Sequence, residues 1–334
     1  MTYRKGLGLV SVAAALACGC DATVAEPPGR VAAAEPGGKP DAAAVRERFR
    51  DARAALETRL LQAPEPTGTP TLPEGAAGGA ARLVSFGAPL GQMPAYYVAP
   101  EGGGKRPAVV WVAGGFDNSI GPFGFEPADP ANDQTAAAFW RSGVVTMYPS
   151  RRGGNGNPGD VEFLLGEVDD VLAATEWLAR QPEVDPRRIY IGGHSTGGTA
   201  ALLAAELSDR FAGVISLGPV AEGYFDLAAL RRQLPGLPEA ELTVRSPVRW
   251  MGGLAAPVWV IEGANEGNAG PLRELEAEAK RQGVDGTFVV VPGEDHFSIV
   301  GRVCRLFAER IAAADSADGL SVTAEDVLAR FGDR

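Results

Sequence analysis

Ser195 sits in Gly193-His194-Ser195-Thr196-Gly197, directly after the apolar run Arg188-Ile-Tyr-Ile191 and before an Ala/Leu-rich stretch. A serine on a tight strand-to-helix turn adopts a strained backbone, and glycines two residues to either side remove Cβ atoms that would clash. Such a turn lifts Oγ above the strand ends and aims a helix N-terminus at developing negative charge, the arrangement needed for nucleophilic attack on a carbonyl. A serine hydroxyl is a weak nucleophile at neutral pH and needs a base that titrates near neutrality. Only two histidines exist, His194 and His296. Neighbouring side chains on a tight turn point apart, so His194 is expected to pack beside the site. His296 is then the general base. Two histidines also exclude a multi-histidine metal site.

The elements that must hold these residues alternate along the chain. Apolar runs at 95–99, 108–113, 144–148, 188–191, 213–217, 257–261 and 287–291 read as strands. Helical patterns at 160–180, 196–207, 271–282 and 299–314 separate most of them. Buried apolar runs alternating with helices predict an α/β domain over 81–334, a mostly parallel central sheet with helices on both faces. The first two runs have no helix between them and predict an antiparallel start. Residues 220–250, rich in Leu and Pro, fit no strand and are expected to form a small cap insert.

With these motifs in place the chain resembles the α/β-hydrolase superfamily, and within it the catalytic domain of prolyl-oligopeptidase-like serine hydrolases. The resemblance spans roughly 82–314 and is carried by Trp111-Val-Ala-Gly-Gly-Phe116, Tyr148-Pro-Ser-Arg-Arg-Gly-Gly-Asn155, the Ser195 turn, and Pro292-Gly-Glu-Asp-His-Phe297. It implies an α/β-hydrolase fold and a Ser-acid-His triad in that chain order, with His296 where such proteins place their base. It further implies an oxyanion hole from the main-chain N–H of Thr196 and of Gly115 or Phe116, although the usual His-Gly start of that loop is Ala113-Gly114 here. The acid departs from the pattern: Val258-Trp-Val-Ile-Glu262-Gly-Ala-Asn-Glu266 contains no aspartate. Glu266 matches the usual spacing best and Glu262 is the alternative, with Glu222 or Asp226 further possibilities. Arg152 should rim the cleft and could hold a substrate carboxylate or carbonyl, or brace its loop.

The remaining features bound the function. A net charge of −11 over 334 residues, with no basic stripe, argues against nucleic acid. No glycine-rich loop satisfies a P-loop or dinucleotide pattern, so no cofactor is expected. Glu167, Asp169 and Asp170 lie in one helix and are expected to be solvated or capping charges, not a metal site. Arg4 and Lys5 followed by small and apolar residues to Ala17 read as an export signal. The following Ala15-Leu-Ala-Cys18-Gly-Cys20 resembles the lipobox of bacterial lipoproteins, with Cys18 or Cys20 lipidated; a plain signal peptide is the alternative. Residues 21–80 read as a tether carrying one helix at about 41–62, loosely packed or acting as a spacer. Cys304 is then the sole cysteine of the folded part, a small buried helix residue. The expectation is an exported or membrane-tethered hydrolase acting on a small-molecule ester or a peptide. With so little chain ahead of the body a gating propeller is not expected, which favours esters or small acyl substrates. A non-catalytic ligand-binding protein on the same fold is the alternative.

Overall fold

The computed structural model describes residues 40–64, 68–223, 234–265, 267–316 and 320–332. Eight strands, β1 Ala81–Ala88, β2 Gly91–Val98, β3 Arg106–Val112, β4 Val145–Pro149, β5 Val184–His194, β6 Gly213–Leu217, β7 Val258–Asn265 and β8 Gly286–Asp295, form one sheet. Their order is β1-β2-β4-β3-β5-β6-β7-β8. β1 pairs antiparallel with β2 and β2 antiparallel with β4, while every other pair is parallel.

The central strands are continuously apolar because both faces are covered. Alternate residues of β3 go to opposite sides: Val110 and Val112 to one core, Val109 and Trp111 to the other. The first core is closed by helices α1 Ala42–Ala54, α3 Gly166–Ala179 and α4 Thr196–Ala205. The second lies under α2 Ala137–Arg141 and under the helix Val300–Ala313, which carries the buried Cys304. Connections leave β3 towards β4 on one side, and the next strand, β5, pairs with β3 on the other side. The strand order therefore reverses at β3, and a crevice opens beyond the carboxyl ends of β3 and β5.

Three features differ from the sequence reading. β1 has no apolar run because it is an edge strand with one face in solvent, burying Ala81 and Phe86 while exposing Arg82, Leu83 and Ser85. β2 is indeed antiparallel to β3 in direction, but β4 lies between them. Third, α1 is neither a spacer nor loosely packed. Asp41 caps it by accepting from the Ala43 N–H at 3.0 Å, and Phe49 stacks on Trp250 with ring centroids 4.3 Å apart. Arg46 donates to the Gly253 carbonyl at 2.9 Å and Arg53 pairs with Asp169 at 2.6 Å. The helix stops at Ala54, and the next stretch runs extended, pairing Gln62 with Val161 in an isolated bridge.

Of the expected insert, residues 224–233 lie outside the described residues. The described part contains a short helix, α5 Glu239–Thr243, whose Glu241 pairs with Arg245 at 2.6 Å, both fully buried. Two longer helices, α6 Ala269–Gln282 and α7 Val300–Ala313, follow β7 and β8, and α8 Ala324–Ala329 closes the described chain.

Candidate active site

Ser195 ends the β5 segment as the N-cap of α4, with φ 59° and ψ −123°. This is a positive-φ conformation that non-glycine residues seldom adopt and that persists only where the surroundings over-determine it. Here they do. The Ser195 N–H donates to the Leu217 carbonyl at 2.8 Å, and its carbonyl accepts from Thr199 N–H at 3.0 Å as α4 begins. A Cβ on Gly193 would collide with the main chain of Gly197, and one on Gly197 with the Val112 carbonyl. Both glycines are there for close approach, as their spacing suggested.

His296 follows β8, and its turn is fixed by Asp295, whose carboxylate accepts from the N–H groups of Phe297 at 2.9 Å and Ser298 at 2.8 Å. Those two donors hold the Asp295 carboxyl below its usual range. The acidic partner of His296 is Glu262: its Oε2 lies 2.8 Å from His296 Nδ1, and the Glu262 side chain is fully buried. Glu262 also accepts from the Gly263 N–H at 2.7 Å and the Asn268 N–H at 2.8 Å. Glu262 is the alternative acid of the sequence reading; Glu266, the preferred one, lies outside the described residues, as does Asp226. Glu222 instead pairs with Arg249 at the surface, 3.1 Å away. From its place within β7 the Glu262 side chain reaches the imidazole directly.

Glycines leave room for this pair. Gly218, at φ +60°, follows β6; a Cβ there would sit 2.5 Å from His296 Cε1 and 2.9 Å from Glu262 Oε2. Gly267 lies against the Glu262 carboxylate, where a Cβ would meet Cδ at 2.7 Å. Neither glycine stood out in the sequence, because the residues they make room for are distant along the chain.

The loop after β3 crosses the elbow so closely that a Cβ on Gly114 would come within 3.3 Å of Ser195 Cβ. Thr196 Oγ1 donates to the Gly115 carbonyl at 2.8 Å, tying this loop to the first turn of α4. Thr196, Gly115 and Phe116, the expected oxyanion donors, are thus brought to one place beside Ser195. Phe116 packs edge-on against Phe163, centroids 5.2 Å apart. Phe116, Leu164, Val220, Gly223 and Asn268 line a small, largely apolar pocket around Ser195 and Thr196.

Arg152 is not on the cleft rim. It is buried, with Nε and Nη2 on the two oxygens of Asp170 at 2.9 Å each and Nη1 on Glu162 at 2.6 Å. The guanidinium is buried and committed to these two carboxylates, which brace its loop. Its neighbour Arg151 is also buried, with Nη1 3.2 Å from the Ala113 carbonyl behind the oxyanion loop. Of the three acidic residues at the start of α3, Glu167 and Asp170 are buried while Asp169 stays half exposed. Asp170 holds Arg152, Asp169 holds Arg53, and Glu167 accepts from Asn118 at 3.1 Å and the Glu162 N–H at 2.7 Å. Among the described residues no group of three potential metal ligands converges. Cys18 and Cys20 lie outside the described residues.

The geometry can be set beside known proteins. An uncharacterized peptidase of Bacillus subtilis, YtmA, is 30% identical over 141 residues, 39% of this chain and 55% of that protein. A puromycin-hydrolyzing peptidase of Mycobacterium tuberculosis superposes with a TM-score of 0.55 at 22% identity, over 70% of this chain and 38% of that one. A hyperthermophilic esterase from Pyrobaculum calidifontis superposes with a TM-score of 0.54 at 19% identity, over 84% of this chain and 95% of that one. The match thus spans about half the length of the Bacillus relative, and less of the mycobacterial peptidase. At these identities the superpositions speak for the α/β-hydrolase fold. The family model described as the prolyl oligopeptidase family, peptidase S9, matches residues 131–312, a stretch containing Ser195, Glu262 and His296. The chain belongs to the prolyl oligopeptidase family.

Proposed function

We propose that the chain is a serine hydrolase that cleaves small acyl substrates, esters foremost, through an acyl-enzyme on Ser195. The observation that carries this reading is the Glu262–His296 pair at 2.8 Å, standing at strand ends beside a serine held at φ 59°. Glu262 on Nδ1 fixes the imidazole and stabilises the imidazolium, leaving Nε2 to take the Ser195 proton. The Ser195 oxygen then bonds to the substrate carbonyl carbon. The resulting oxyanion is met by the N–H of Thr196 and by one from the Gly115–Phe116 loop. Collapse expels the leaving group with the proton from His296, and water repeats the sequence to release the acid.

Esters and small acyl groups are favoured by the apolar, close-walled pocket at Ser195. A purely ligand-binding role rested on the lack of an aspartate at the acid position, and Glu262 removes that ground. We also propose export, with Cys18 or Cys20 as a lipid anchor, on the strength of the basic and apolar N-terminal run. No helix among the described residues is long and apolar enough to cross a membrane.

The test is labelling of the purified protein by a fluorophosphonate, native against Ser195→Ala. Labelling lost in the variant is expected. A well-folded native protein that does not label would overturn the reading. Palmitate incorporation in cells, compared between wild type and Cys18→Ser or Cys20→Ser, tests the anchor, and absence of incorporation in the wild type removes it.

A further inference from the structure

Beside the site, the chain between β4 and α3 contains an unusual turn. Phe163 and Leu164 are consecutive non-glycine residues at positive φ, 52° and 74°. Strain of this kind survives only where neighbours enforce it, and it concentrates at functional sites. The turn is braced from two sides. Arg245, with a fully buried side chain, donates through Nε to the Phe163 carbonyl at 2.9 Å and through Nη2 to the Glu162 carbonyl at 3.0 Å. The Glu162 carboxylate is fixed from below by Arg152 at 2.6 Å and by the Gly166 N–H at 3.1 Å, and the Glu162 N–H donates to Glu167 at 2.7 Å. Arg245 Nη1 reaches Glu241 at 2.6 Å and Nη2 also donates to the Thr58 hydroxyl at 2.7 Å, so the insert and the segment after α1 are tied to the same turn.

What this buried network supports is the wall of the pocket. Phe163 turns onto Phe116 of the oxyanion loop, and Leu164, almost fully buried, turns into the pocket at Ser195. We propose that Leu164 is a specificity-determining residue: it closes the pocket to long chains and limits the acyl group on Ser195 to short apolar ones. Arg245 and Arg152 brace the turn that presents it. The inference rests on the serine hydrolase reading above and adds the substrate class. A rigid apolar wall discriminates by size because a longer chain must either displace it or leave methylenes in water.

The test uses p-nitrophenyl acetate, butyrate and octanoate, which differ only in the acyl group transferred to Ser195. In each, the Ser195 Oγ–carbonyl bond forms and the bond to p-nitrophenolate breaks, with the serine proton passing to His296. Wild type is expected to prefer acetate and butyrate over octanoate by tenfold or more in kcat/KM. Leu164→Gly removes the side chain and suits the positive φ, so it folds without the strain. It should raise the octanoate-to-acetate ratio about tenfold, and Leu164→Ala should raise it in the same direction. Leu164→Phe should lower the butyrate-to-acetate ratio. A ratio within twofold of wild type in both Leu164→Gly and Leu164→Ala, with Ser195 still labelled by fluorophosphonate, overturns the assignment of Leu164 and leaves the hydrolase reading standing. Loss of labelling in the wild type overturns both.

Discussion

The imidazole of His194 hydrogen-bonds to the main-chain carbonyl of His296, Nε2 to oxygen 2.8 Å, with the two rings 4.4 Å apart. The residue preceding the nucleophile thus holds the backbone of the base and does not touch the serine. A carbonyl only accepts, so Nε2 carries the proton. Burial, then the nearby His296, lower the pKa of His194 to about 4.

That shift predicts a pH dependence with a definite sign. The folded pKa lies below the unfolded value near 6.5, so as pH falls from about 6.5 to about 4 the unfolded chain takes up a proton that the folded one refuses. Stability from this group is complete above that window and is lost through it, amounting to roughly 3 kcal/mol. Thermal melts of wild type and His194→Asn between pH 7 and 4 should converge at low pH. Parallel curves would show that His194 does not carry the effect.

Removing the acid should cost orders of magnitude while folding is retained. Glu262→Gln keeps the size of the side chain and loses the charge opposite His296, and a fall in kcat on the order of 10³–10⁴ is expected. Glu266→Gln should keep activity within a fewfold, because Nδ1 of His296 already has Glu262 at 2.8 Å. Ester hydrolysis of the two variants side by side decides between them, and the reverse ranking would return the acid to Glu266.

Arg152 should behave as a structural residue. Its guanidinium is spent on Asp170 and Glu162 in a buried pair. Arg152→Ala leaves Asp170 buried and unpaired and should destabilise by about 3–5 kcal/mol. The predicted signature is a large drop in Tm, with no KM change selective for acidic substrates. A raised KM confined to acidic substrates, with Tm unchanged, would instead restore a substrate-binding role.

The α1 helix should be part of the folding unit. Phe49 is fully buried and stacks on Trp250, at the end of the insert. Phe49→Ala should cost about 3–5 kcal/mol, read by denaturant unfolding as a lower midpoint at unchanged slope. A variant as stable as wild type would return α1 to the role of a spacer.

Much of this was legible in the sequence because it is written locally. Gly193-x-Ser195-x-Gly197 is a backbone constraint spanning five residues, and the strands β5 to β7 contain apolar runs whose burial on both faces needs no knowledge of partners. His296 could be assigned because only one other histidine existed. What the sequence left open are relationships between segments far apart. The acid was ambiguous because spacing along a loop does not measure distance across it, and only the packing of β7 beside β8 puts the longer glutamate arm of Glu262 on His296. Arg152 read as a rim residue because a charge after a strand usually reaches solvent, whereas the fold turns it inward onto Asp170. The apolar face of α1 was visible, but not its destination, since Trp250 lies about 200 residues away along the chain. Local rules set the elements and the nucleophile. Long-range packing alone decided which charges meet, which are buried, and what walls the pocket beside Ser195.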